Sequence, residues 1–138
     1  MEKGLVELQY VILSHSIFFR ALTGDIGPPV QFMLKHLKLA GVDLTSTYIP
    51  CQPCDLTRSG GFSPDAGAVV LCQGNFLNKK HMEHTLVHEL LHMYDHAVFN
   101  VDWSNLRYHA CSEACCLPHV QTFTANTAYS LTRFVQTV

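Results

Sequence analysis

Charge is scarce in this chain, and no stretch concentrates it. Charged residues fill 14% of the 138 positions, and the formal net charge is −2 with histidine neutral. No dense Lys/Arg run occurs, so binding to nucleic acid through its phosphates is not expected. Also missing is an unbroken run of roughly 20 apolar residues, the length that a membrane-spanning helix needs. The greasiest stretch, "GLVELQYVILSHSIFFRAL", is interrupted by Glu7, Gln9, His15 and Arg20. It reads as a core helix or strand, with contact to a membrane surface as the alternative. The opening "MEKG" lacks the basic segment of a secretory signal, and Glu2 and Glu7 with little arginine speak against a mitochondrial presequence. No internal repeat or low-complexity tract is found. What remains is one globular domain: 138 residues can bury a core, and 48% of them are hydrophobic.

Cysteine, by contrast, is plentiful. Cys51, Cys54, Cys72, Cys111, Cys115 and Cys116 leave two readings open, disulfides in an oxidising compartment or a zinc knuckle in a reducing one. A structural zinc normally brings a second spaced pair, and the adjacent Cys115 and Cys116 make a poor one, which favours disulfides. Along the chain, "PPVQFMLKHLKLAG" predicts a helix opened by prolines, with Val30, Met33, Leu34 and Leu37 on one face and Gly41 as its stop. "CQPCDLTRSGGFSPDAG" reads as an extended loop stapled by its own Cys-x-x-Cys, and "AVVLCQ" as a strand. Asn78 is placed to cap a helix over residues 79–97. A further helix is expected in "DWSNLRYHACSEACCLP", opened by Asp102 or Ser104 and closed before Pro118. The threonine-rich tail over 120–138 has weak periodicity and receives no assignment.

The candidate chemistry lies in "HMEHTLVHELLHMYDH", where His84, His88, His92 and His96 recur one helical turn apart. "HELLH" at 88–92 has the HExxH form. Residues four apart share one side of a helix, so His88 and His92 can both reach one zinc ion. Glu89 is turned about 100° round the axis, beside the ion rather than on it. From there it can take a proton from a water acidified by the metal and pass it to the leaving amine of a peptide. The bland alternative is an amphipathic helix with solvated histidines. Against it, Leu86, Val87, Leu90, Leu91 and Tyr94 surround the pair, and buried histidines need partners.

The third ligand is the harder question. The continuation HxxGxxH fails, because Asp95 and Val98 stand where it wants glycine and histidine. His84 and His96 drift about 40° per turn off the line through His88 and His92. Glu113, 21 residues after His92, is the candidate, at the separation from which gluzincin-type peptidases take a glutamate. Two histidines, one glutamate and an open fourth position make a hydrolytic zinc site. His109, four residues before Glu113, is the alternative ligand or a supporting neighbour. The bland reading of Glu113 is an ordinary exposed helix carboxylate.

"CQPC", "SGGF", "AVVLCQGN", "HMEHTLVHELLHMYDH", "VDW" and "HACSE" follow one another in an order that resembles the mitochondrial inner membrane metalloprotease family that processes and helps assemble ATP synthase. The resemblance spans roughly residues 30–113. It implies an α+β, zincin-like fold, with the active-site helix packed on a small sheet. A metalloprotease domain over 28–117 would lie between unmatched ends, 1–27 and 118–138. The resemblance also implies Zn²⁺ as cofactor, His88 and His92 as ligands and Glu89 as the catalytic residue, with His109 and Glu113 in the matching "HACSE" block. It implies oxidised cysteines, with Cys51, Cys54, Cys72 and Cys111 as candidates. The implied setting is the intermembrane-space side of the mitochondrial inner membrane, with peripheral attachment. The implied substrate is a mitochondrially encoded membrane subunit of ATP synthase. The unmatched ends imply an alternative or truncated form with an incomplete C-terminal part. A non-catalytic assembly chaperone and an inactive truncated isoform therefore stand as alternatives. Glu89 favours the enzyme, since a purely structural metal needs no base beside it.

Overall fold

The structure is a computed structural model that describes the backbone over residues 25–122 and the side chains over 25–114. The expectations for the apolar N-terminal stretch and for the tail beyond residue 122 fall outside the described residues. The chain forms two compact units, one through Asn100 and one from Val101.

Prolines at a helix start pre-set φ and give up N–H groups that would find no partner in the helix anyway, so α1 runs Pro28–Leu39. Val30, Met33 and Leu37 form its buried face, as their spacing predicts. Gly41 ends it at φ +87°, its N–H donating back to the Lys38 carbonyl. That left-handed conformation suits a residue without a side chain.

A short 3-10 turn over Ser46–Tyr48 leads into a mixed sheet. Strands β1 (Cys51–Gln52), β2 (Gly60–Ser63) and β3 (Ala68–Cys72) lie in the order β1-β3-β2. β3 pairs parallel with β1 and antiparallel with β2, setting Gly60 opposite Leu71 and Phe62 opposite Val69. Val69 and Leu71, alternate residues on one face, are fully buried.

Helix α2 (Lys79–Phe99) packs on β2, β3 and α1. Asn78 caps it as expected, its side-chain oxygen accepting from the His81 N–H at 2.9 Å. Asn100, at φ 49°, closes the other end two residues later than the sequence suggests. The helix is buried over Leu86, Val87, Leu90, Leu91 and Met93, and that stretch also holds Glu89 and His92. The expected α+β architecture, with the histidine helix on a small sheet, is the one observed.

The staple differs from expectation. Cys54 is bonded to Cys72 at the end of β3, 18 residues away, rather than within its Cys-x-x-Cys. Strand alternation explains this: Cys51 pairs with Leu71 and shares its buried face, which points it away from Cys72. Cys111 stands exposed as a thiol, outside the pairing expected of it.

In the second unit, Asp102 accepts from the Ser104 hydroxyl at 2.6 Å and the Ser104 N–H at 3.0 Å. These bonds hold its carboxyl below the usual carboxylate range, the hydroxyl contributing most. Helix α3 (Leu106–Thr122) is thus capped neither by Asp102 nor by Ser104. Asn105 does so, taking the Arg107 N–H at 3.0 Å. The helix also continues through Pro118 instead of closing before it. A proline removes one backbone bond while the neighbouring turns keep theirs.

Candidate active site

One turn of α2 brings the two predicted metal ligands together. The Nε2 atoms of His88 and His92 lie 3.1 Å apart. Their rings stand edge to face, centroids 4.6 Å apart and planes at 90°. Two nitrogens held by one zinc at about 2.0–2.1 Å in a tetrahedron stand about 3.3 Å from each other, so this pair fits a single ion. His92 is buried and His88 half-buried, which leaves one side of the pair open.

Glu89 follows His88 on the helix and is 8% exposed. A carboxylate so buried is held largely away from water, the setting in which such a group can serve as a proton carrier. Strand β2 approaches its stem closely, because Gly60 carries no side chain. A Cβ built on Gly60 would meet Thr85 Cγ2 at 2.8 Å, the Val70 carbonyl oxygen at 2.9 Å and Glu89 Cγ at 3.7 Å.

Of the candidates for the third ligand, Glu113 is half-buried on α3, in the second unit. His96 stands instead against Phe62, ring centroids 5.6 Å apart. His84 is half-buried on the same helix. His109 Nε2 lies 3.5 Å from Glu113 Oε1, one turn back on α3, and its ring meets Trp103 edge to face at 6.0 Å. It is therefore a neighbour of the Glu113 carboxylate.

Sequence reasoning overlooked a tie between β2 and the start of α2. Leu77 N–H donates to His81 Nδ1 at 3.2 Å, which assigns the ring proton to Nε2, 3.2 Å from Ser59 Oγ. The Ser59 hydroxyl in turn donates to the Asn75 carbonyl at 3.4 Å. Asn75 Nδ2 binds the carbonyls of Asp55 and Arg58 at 2.7 and 2.8 Å, drawing the loop before β2 against the one after β3. The adjacent glycines of "SGGF" are a usable signal for close backbone approach. His81 gives none, being one histidine among many. Among the described residues, no helix is long and apolar enough to cross a membrane.

The sequence pattern of the Peptidase M76 family matches residues 21–118, well over half of the chain. Relatives named "Mitochondrial inner membrane protease ATP23" are similar over much of that span. The one from Candida albicans is 45% identical over 93 residues, covering 64% of this chain and 39% of its own length. The Yarrowia lipolytica relative is 43% identical over 86 residues, 62% of this chain and 34% of its own length. That of Schizosaccharomyces pombe, 42% identical over 94 residues, covers 68% of this chain and 50% of itself. The chain thus spans between a third and a half of the length of these relatives. No solved structure matches it. With the family's pattern running from ahead of α1 into α3, and His88, Glu89 and His92 inside it, the chain belongs to the Peptidase M76 family.

Proposed function

We propose that the chain is a zinc-dependent metalloendopeptidase of zincin type, with His88, His92 and Glu113 as metal ligands and Glu89 as the proton carrier. The observation that carries this reading is the 3.1 Å approach of the His88 and His92 Nε2 atoms beside a buried Glu89 on one helix. When bound, the zinc would polarise a peptide carbonyl and acidify a water molecule. The protein's own residues do the rest. Glu89, as the carboxylate, takes the proton of the attacking water and later delivers it to the departing amine. The backing strand and the buried flank of α2 keep bulk water from the rear of the carboxylate. His109, 3.5 Å from the Glu113 carboxylate, orients that group.

The names of the relatives support placing this activity at the mitochondrial inner membrane. We further propose its intermembrane-space side, peripheral attachment, and a membrane subunit of ATP synthase as the substrate. The Cys54–Cys72 disulfide supports an oxidising compartment. The test is zinc content of the purified chain, measured beside cleavage of a peptide spanning the subunit's processing site, for parent and Glu89→Gln. One equivalent of zinc with cleavage lost only in the variant supports the reading. Cleavage that survives the substitution refutes it, and client binding without cleavage in the parent would favour an assembly chaperone instead.

A further inference from the structure

We propose that Gly60 is a positioning residue for Glu89: the bare backbone at this point of β2 sets where the face of α2 bearing Thr85 and Glu89 comes to rest. The proposal builds on the reading of Glu89 as the proton carrier and asks what fixes its place. Neither Gly60 nor its neighbour Gly61 has a positive φ, so neither is glycine for reasons of backbone conformation. Space separates them. At Gly60 an added Cβ would stand 2.8 Å from Thr85 Cγ2 and 2.9 Å from the Val70 carbonyl oxygen, while at Gly61 nothing lies within 4 Å. Register accounts for the difference, because Gly60 pairs with the buried Leu71 and Gly61 with the half-buried Val70.

The strand cannot easily retreat from such a clash. Cys72 N–H donates to the Ser59 carbonyl at 2.8 Å, and Ser59 Oγ lies 3.2 Å from His81 Nε2 on the first turn of α2. The disulfide from Cys54 to Cys72 ties the preceding loop to the same place. With the start of β2 anchored to both β3 and α2, strain from a methyl group at position 60 passes to the helix. Thr85 and Glu89 are one turn apart on one side of it, so a push on Thr85 moves the stem of Glu89. A proton carrier displaced by a fraction of an ångström loses rate without losing substrate affinity.

The test compares Gly60→Ala, Gly61→Ala and Gly60→Ala/Thr85→Ser in the full chain. Gly60→Ala is expected to lower kcat by about 10- to 100-fold, the cost typical of small misplacement, with KM and zinc content near parental values. Gly61→Ala should match the parent. Thr85→Ser in the Gly60→Ala background removes the Cγ2 that clashes and should recover part of kcat. Unchanged kcat in Gly60→Ala, a loss expressed only in KM, or no recovery in the double variant each overturns the proposal. Should Gly60→Ala fail to fold, Thr85→Ser alone loosens the same contact and should lower kcat several-fold with zinc retained; an unaltered kcat overturns it. Crystal structures of the two alanine variants judge the positioning itself even if the parent cleaves nothing. Glu89 must be displaced from His88 and His92 in Gly60→Ala and not in Gly61→Ala.

Discussion

Each histidine of α2 meets a different environment, and the substitutions that test them differ accordingly. His88→Ala or His92→Ala removes half of the 3.1 Å nitrogen pair and should abolish stoichiometric zinc, read by metal analysis after dialysis. Glu113→Ala should weaken zinc binding, with Glu113→Asp milder because a carboxylate remains. His96→Asp should leave the metal almost untouched, since His96 stands against Phe62. Glu89→Gln should retain zinc and lose about 10²- to 10⁴-fold in cleavage rate, the range usual for a missing general base. At this scale the sequence is most readable where helical geometry does the work. The four-residue spacing of His88 and His92 dictates their convergence, and the drift per turn disqualifies His84 and His96. Gly60 is less readable, because the atoms that require its bareness belong to Thr85 and Val70, and only pairing of β2 with β3 and α2 brings them there.

Elements were readable in proportion to how local their causes are. The prolines before Val30, the β-branched run of β3 and the cap at Asn78 act within a few residues, so α1, β3 and the start of α2 fall where the sequence puts them. The disulfide has a non-local cause, the parallel register of β1 on β3, which no spacing of cysteines encodes. Two stability measurements follow. Asn78→Ala deprives α2 of its side-chain cap and should cost about 1 kcal/mol in chemical denaturation. Cys54→Ser opens a loop closed across a sequence separation of 18 and should cost roughly 3 kcal/mol, again from denaturation curves. A smaller effect from Cys54→Ser than from Asn78→Ala would mean that the clamp adds little to the fold.

For the whole molecule, burial of Glu89 and His92 makes stability depend on what those groups bind. Removing metal with a chelator should lower the melting temperature by several degrees, and restoring zinc in excess should raise it with concentration, as linkage requires. A melting temperature indifferent to chelator would mean that no ion is bound to the native chain. The bond between Cys54 and Cys72 adds a question of sequence in time. Before oxidation both sulfurs are soft donors, and thiolates compete well with imidazole for zinc. If α2 binds zinc as proposed, a newly made chain that meets zinc before it meets an oxidant holds rival donor sets, one at the end of β3 and one on α2. Closing the disulfide eliminates the rival. On that proposal oxidation would act as a check on metal loading as well as a clamp: the reduced chain should take up zinc in excess of one equivalent, and the oxidised chain should release the surplus.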